Sequence, residues 1–264
     1  MMYWYCGQLI KSTTLTLDVD DPGLIYGATV FTTIRVYQSC LNHRLTNWYA
    51  HCFRLKSTLD IFDWKEPNWS DIHQGAEILS QNFPVIRITV FPDGREWITG
   101  RFLPENLAER QNHGIMVTLG NVRWNRSLPQ HKTGNYLAPW LAKTNAQSLK
   151  AQEVILVDNQ GKWLETATGN LWGWKDHCWW TPPLTEGILP GIERSLIIDH
   201  LQKNQIPVKQ EPWTGNLVKD LEAIAYSNSV VEIVPIYMVQ DCQERLEYNP
   251  RHSCFWEIKR LFLS

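Results

Sequence analysis

The sequence predicts an α/β or α+β fold with much antiparallel sheet, and three observations carry that reading. Residues 29–37 (TVFTTIRVY) form a run of β-branched and aromatic side chains, as a strand requires. Residues 85–91 and 96–103 flank Pro92-Asp93-Gly94-Arg95, a hairpin signal. Trp48, Cys52, Leu55, Leu59 and Phe62 recur at steps of four and three, which places them on one face of a helix. The 264 residues, 44% apolar and 20% charged, exclude disorder and fibrous structure and allow one large or two modest domains. With 25 basic and 27 acidic side chains the net charge is −2. Such a balance gives no general attraction to nucleic acid or anionic lipid, so a small-molecule substrate is the expected partner. No apolar run reaches the ~18 residues of a membrane helix, and Met-Met-Tyr-Trp-Tyr-Cys lacks the basic start of a signal peptide. A cytoplasmic protein that avoids membranes and nucleic acid is expected.

Taken in order, two short strands around Gly7 open the chain, and Asp20-Asp21-Pro22-Gly23 reads as a turn. The strand at 29–37 leads to the helix announced by Thr46 or Asn47 as its cap, with Arg54 beside the apolar stripe. Residues 70–81 read as a second helix, before the hairpin. A strand at 114–119 precedes the polar stretch 121–130, which contains Arg123, Arg126 and Pro129 and reads as an interdomain linker. Beyond it, 136–149 reads as a helix with Pro139 tolerated in its first turn. A strand at 153–158, a turn at 159–162 and a strand region at 163–174 follow. Pro190-Gly191 leads into a helix at 192–203, then strands at 206–211 and 223–227 and a closing helix at 253–263.

The six cysteines, Cys6, Cys40, Cys52, Cys178, Cys242 and Cys254, show no C-x-x-C and no histidine at zinc-finger spacing. They read as free thiols, and no metal site is expected. The fourteen tryptophans suit packing and pocket walls.

Singly, the candidates for chemistry are bland: Lys132 also reads as a solvated lysine, Glu165 as a surface strand residue, and 187–192 as a loop entering a helix. Together they fit one chemistry. A Pro-Gly turn into a helix leaves backbone N–H groups at the positive end of the dipole for a phosphate. Arg54 can add a bidentate contact to the same group. A lysine in a turn can lose its proton and condense with an aldehyde. A carboxylate at Glu165 can hold a ring nitrogen protonated. These are the needs of pyridoxal phosphate.

The chain resembles the class IV aminotransferases, pyridoxal-phosphate enzymes of fold type IV. The resemblance rests on Lys132-x-x-Asn135-Tyr136, on Leu164-Glu165-x-x-x-x-Asn170-Leu171, and on Thr181-Pro182-Pro183-Leu184-x-x-Gly187-Ile188-Leu189-Pro190-Gly191-Ile192-x-Arg194. It covers most of the chain. It implies that Lys132 is the Schiff-base lysine and general base, Glu165 the partner of the pyridine nitrogen, and Tyr136 a neighbour of the ring hydroxyl. Arg54, in His51-x-x-Arg54-Leu55, matches the phosphate arginine. Ile192 and Glu193 would donate backbone N–H groups to the phosphate, Leu189 would pack on the ring, and Asn170, Asn228 and Ser229 would complete the cofactor contacts, Ser229 as a phosphate-side hydroxyl.

Three features resemble aminodeoxychorismate lyases within that family. Phe31-Thr32-Thr33-Ile34-Arg35-Val36 is similar to the lyase strand, where transaminases usually carry a glutamate near Thr32. Gly169 stands in place of an acidic residue of branched-chain transaminases, and Ser227-Asn228-Ser229 is similar to the lyases' Asn-Ser segment. The resemblance then implies conversion of 4-amino-4-deoxychorismate to 4-aminobenzoate and pyruvate, with Thr32 or Thr33 holding or protonating the leaving group. The alternatives are a D-amino-acid or branched-chain transaminase and a non-catalytic binding protein of the same fold. Two departures matter. Glu193 replaces a threonine, and its carboxylate would repel a phosphate unless it points outward. Phe91-Pro92-Asp93-Gly94 replaces an Arg-Gly, leaving the substrate-carboxylate contact to Arg35, Arg87, Arg95 or Arg101, each of which also reads as a solvated strand or hairpin charge.

The fold implied is two-domain: a small N-terminal α/β sandwich domain over residues 1–112, a linker region at 113–122, and a larger C-terminal β pseudo-barrel domain with helices over 123–264. The cofactor would sit between them, in a homodimer.

Overall fold

The computed structural model describes residues 1–241 and 244–263. Cys242, read as a free thiol from the sequence, lies outside the described residues. The other five cysteines are free. Two compact units divide the chain: Met1–Pro104 with His131–Tyr136, and Glu105–Gln130 with the chain from Leu137 onward.

The first unit is built on an antiparallel sheet. Its elements are β1 (Tyr3–Tyr5), β2 (Gln8–Ile10), the short helix α1 (Pro22–Ile25), β3 (Val30–Arg35), α2 (Trp48–Ile61), α3 (Trp69–Ser80), β4 (Val85–Val90) and β5 (Glu96–Arg101). The strand order is β2-β1-β5-β4-β3. Alternation along the strands sorts the side chains onto two faces. Val30, Ile34, Ile86, Ile88, Val90 and Ile98 point to the face that packs on Leu55 and Leu59 of α2 and Ile72, Ala76 and Leu79 of α3, forming one buried cluster. The register Phe31↔Thr89, Thr33↔Arg87 and Arg35↔Val85 puts Phe31, Thr33, Arg35 and Arg87 on the other face.

Helix α2 begins without a side-chain cap. Asn47 is left-handed at φ 49° and its side chain caps nothing. The Thr46 hydroxyl instead accepts from Tyr37 N and donates to Cys40 O. Helix α3 is capped by Asn68, whose side chain accepts from Ser70 N.

The second unit comprises α4 (Leu107–His113), β6 (Ile115–Leu119), α5 (Leu137–Ser148), β7 (Glu153–Val157), β8 (Trp163–Thr166), β9 (Asn170–Lys175), β10 (Cys178–Thr181), α6 (Ile192–Lys203), β11 (Val208–Gln210), α7 (Gly215–Asp220), β12 (Ala223–Asn228), β13 (Glu232–Gln240), β14 (Arg245–Glu247) and α8 (Phe255–Lys259). Strands β9-β12-β13-β6-β7-β8 pair in sequence, and β8 returns to β9, so these strands close on themselves. This is the pseudo-barrel. Its ladders are parallel at β13–β6 and β6–β7 and antiparallel elsewhere around the ring. Register shifts in β13 and β7 supply local bends of the kind closure needs. Strands β10 and β11 extend the sheet from β9, and β14 pairs with β13.

The domain boundary differs from the sequence reading. Residues 113–122 contain β6, which is paired on both sides inside the barrel, so they are not a linker. Residues 131–136, which carry Lys132, belong to the first unit rather than the second. Among the described residues no helix is long and apolar enough to cross a membrane.

Candidate active site

Lys132 is fixed by the edge of the first unit's sheet. Phe31 N donates to Lys132 O at 2.8 Å, Gly134 N donates to Thr29 O at 2.6 Å, and Val30 bridges Thr133. The segment thus covers the open edge of β3. Gly134 is required for that approach: a Cβ there would lie 2.0 Å from Thr29 Oγ1 and 2.9 Å from Gly27 O. The Lys132 ammonium nitrogen stands 4.8 Å from the Phe31 ring centroid and 5.6 Å from that of Tyr136. The two rings meet edge to face at 5.8 Å. The lysine is therefore walled by aromatic surface.

Arg87 lies on the same Phe31 ring, its guanidinium carbon 3.6 Å from the centroid. Burial, and then the charge of Arg101, pull its pKa down to about 10. Thr33 is its cross-strand neighbour. Arg35 stacks on Tyr37 at 4.8 Å. Arg95 is engaged elsewhere: it pairs with Asp21 at 2.6 Å and Asp93 at 2.5 Å and donates to the Tyr5 hydroxyl, which makes it a fastener of the hairpin.

On the helix-covered face, α2 presents His51 and Arg54 three residues apart, hence on one side of the helix. Both meet Thr32: the Arg54 Nη2 donates to Thr32 Oγ1 at 2.7 Å, and His51 Nδ1 lies 2.6 Å from the same oxygen. Burial first, then the charges of Arg54 and Lys132, hold the His51 imidazole well below the usual histidine range. His131, next to Lys132, packs on Phe62 and hydrogen-bonds with the Thr58 hydroxyl.

The second unit assembles the other expected residues around a carboxylate. Glu165 on β8 sits across from Asn170 on β9, joined by a tight turn through Gly169. Its Oε2 accepts from Leu189 N at 3.1 Å, while Asn170 Nδ2 donates to Leu189 O at 2.9 Å. The 189–192 turn is therefore pinned to the barrel. A side chain at Gly191 would displace the Asn170 amide, because a Cβ there would fall 2.0 Å from Asn170 Oδ1. Helix α6 then starts with Gly191 as an N-cap that offers no side-chain acceptor. Ile192 and Glu193 of its first turn are both buried. The Glu193 carboxylate is thus not directed outward, as a neighbouring phosphate would favour. Arg194 anchors the helix by donating to Thr181 Oγ1, Pro182 O and Gln210 Oε1.

Two contacts were not foreseen. Arg126 holds Glu165 Oε1 through Nε at 3.0 Å and Nη2 at 2.8 Å; nothing in the spacing of the polar stretch signals it. His51 was legible only as part of His51-x-x-Arg54, whose spacing puts both side chains on one helix face. Asn228 is used differently from expectation: its Oδ1 accepts from Val230 N and Val231 N and its Nδ2 donates to Thr168 O, which ties two turns together. Ser229 lies half-buried in the β12–β13 turn.

The residues in each unit fit a phosphorylated pyridine aldehyde, with the buried Glu193 carboxylate the one feature that works against its phosphate. The first supplies an amine between aromatic rings. The second supplies a buried carboxylate with oriented oxygens for a ring N–H, and a twelve-residue helix that starts, without a side-chain cap, at a glycine set close against Asn170.

Known proteins resemble this chain over most of its length. The D-alanine aminotransferase of Listeria innocua is 29% identical over 254 residues, covering 89% of this chain and 86% of that protein. The branched-chain-amino-acid aminotransferase of Salmonella typhimurium is 26% identical over 268 residues, covering 91% and 85%. The structure of the Escherichia coli branched-chain amino acid aminotransferase superposes with a TM-score of 0.83 at 25% identity, over 99% of this chain and 93% of that one. A Legionella pneumophila chain provisionally named a 4-amino-4-deoxychorismate lyase shares the fold, with a TM-score of 0.79 at 22% identity over 95% and 96%. Residues 29–239 match the family model for amino-transferase class IV, and with most of its length so matched the protein belongs to that family of pyridoxal-phosphate-dependent enzymes.

Proposed function

We propose that this family member is a lyase that converts 4-amino-4-deoxychorismate to 4-aminobenzoate and pyruvate. The observation that carries the reading is the direct opposition of Thr33 and Arg87 across β3 and β4, on the sheet face whose Phe31 ring lies beside the Lys132 amine. A hydroxyl and a cation next to the reacting amine suit a step in which a carboxylate-bearing enolpyruvyl group departs.

When bound, pyridoxal phosphate supplies an aldehyde that condenses with an amine and a protonated ring that draws electron density from the carbon bearing that amine. Lys132 Nζ would hold that aldehyde in the resting protein and would serve as the base that takes the proton from the substrate carbon bearing the amine. Glu165, oriented by Arg126, Leu189 N and Asn170, holds the proton on the pyridine nitrogen. In the second unit the backbone N–H groups of Ile192 and Glu193 would suit the phosphate, and in the first unit the Arg54 guanidinium would suit it, as the family resemblance implies. Arg87 holds a substrate carboxylate, and the Thr33 hydroxyl protonates or steadies the leaving enolpyruvyl oxygen. Of the two threonines, Thr33 takes this role because Thr32 faces the helices and is bonded to Arg54 and His51.

The second reading is transamination of D-amino or branched-chain amino acids. It is favoured by the names of the relatives described above. It shares the first proton removal at Lys132 and differs in where that proton returns.

Incubation with aminodeoxychorismate, read out as 4-aminobenzoate and pyruvate, tests the lyase. A parallel incubation with D-alanine or a branched-chain amino acid and a keto acid tests the transaminase. Keto-acid amination without 4-aminobenzoate would replace the first reading by the second.

A further inference from the structure

Between β3 and α2 lies a chain of three polar side chains, two of them buried, of which the proposed chemistry gives a task to Arg54 alone. Thr32 is fully buried and His51 is 1% exposed. Arginine has only donors, so Thr32 Oγ1 accepts from Arg54 at 2.7 Å. The threonine proton then has an acceptor 2.6 Å away, at His51 Nδ1, provided the imidazole is neutral with its hydrogen on Nε2. The surroundings favour that state, since a protonated ring would be a further buried cation beside Arg54 and Lys132. Donation therefore runs one way, from Arg54 to Thr32 to His51.

We propose that Thr32 and His51 are positioning residues for Arg54, a relay that sets the guanidinium for a phosphate ester. This rests on the assignment of the cofactor phosphate to Arg54. It also moves Thr32 out of the substrate's reach. A neutral hydroxyl here orients Arg54 without cancelling its charge, so the full cation is kept for the phosphate.

Binding of pyridoxal phosphate and of pyridoxal to the apo-protein separates the possibilities, because pyridoxal lacks the phosphate. Thr32→Val removes the hydroxyl at nearly constant volume. We expect it to raise the dissociation constant of pyridoxal phosphate about tenfold, the cost of one charge-assisted hydrogen bond, with no comparable change for pyridoxal. Thr32→Ser is expected to restore binding, and 15N spectra of His51 are expected to show an unprotonated Nδ1 and a protonated Nε2 at neutral pH. Equal loss for both ligands, or unchanged binding with collapsed turnover, would overturn the relay. Arg54→Met is the separate control. If it weakens pyridoxal phosphate while Thr32→Val does not, the relay alone fails; if it too binds both ligands like wild type, the assignment of the phosphate to Arg54 fails.

Discussion

The guanidinium of Arg126 stands 2.8 Å from the carboxylate of Glu165, and the two side chains are 7% and 6% exposed. Removing one member of such a pair leaves the other buried without its countercharge, which costs about 3–5 kcal/mol. Arg126→Met is therefore expected to lower the unfolding free energy of the apo-protein by that amount in urea titrations. Removal of both charges in Arg126→Met/Glu165→Met should cost less than the single change. Glu165→Gln is expected to lose nearly all turnover, because a neutral amide cannot hold the pyridinium proton. It should also lose stability, since Arg126 then faces no charge. Wild-type turnover in Glu165→Gln would remove this carboxylate from the mechanism.

Lys132→Ala is expected to abolish the visible chromophore that borohydride traps, with the fold retained. The side chain projects from a segment held by backbone bonds to Thr29 and Phe31, which an alanine keeps. A trapped adduct in that variant would assign the aldehyde's partner to another lysine.

Much of this architecture is legible locally. The alternation of β3 and the hairpin of β4 and β5 fall where the side-chain pattern places them, and α6 spans Ile192–Lys203 as its Pro-Gly entry and apolar spacing require. Strand β13 escaped because it runs through Pro235, which has no N–H to give a ladder. The unit boundary escaped for a different reason. Residues 131–136 rejoin the first unit through bonds to residues 29–31, about a hundred positions earlier, and no local pattern encodes such a return. Arg126 and Glu165 are separated in the same sense. Glu165 is legible through its motif, but Arg126 reads as an ordinary surface charge, and only the folded second unit pairs the two.

The buried His51 makes stability pH-dependent in a calculable direction. Its folded pKa is depressed, by burial first and then by Arg54 and Lys132, whereas the unfolded ring titrates near 6.5. Between those values the unfolded chain binds a proton that the folded chain does not. The contribution is therefore complete above about pH 6.5 and is lost as pH falls, at up to about 1.4 kcal/mol per unit. His131, depressed by burial, acts in the same direction. Urea midpoints measured from pH 7.5 to 5 should fall with this slope in the wild type and more gently in His51→Gln. Equal slopes in the two proteins would mean that His51 is already charged in the folded state.

Gly134→Ala tests whether the placement of Lys132 depends on close backbone approach. The new Cβ would meet Thr29 Oγ1 at 2.0 Å and Gly27 O at 2.9 Å. The threonine can rotate, but the carbonyl belongs to a backbone that cannot move without its neighbours. Overpacking of this kind costs about 1–3 kcal/mol. Relief requires the 131–136 segment to lift from β3, which carries the Lys132 amine away from Phe31. Gly134→Ala is thus expected to lower the melting temperature and to slow chromophore formation on addition of pyridoxal phosphate. Gly215→Ala is the matched control: its Cβ meets nothing within 4 Å, at the start of α7, so melting and chromophore formation should stay near wild type. If Gly134→Ala behaves like that control, the strand edge tolerates displacement, and the position of Lys132 is set by something other than its contact with β3.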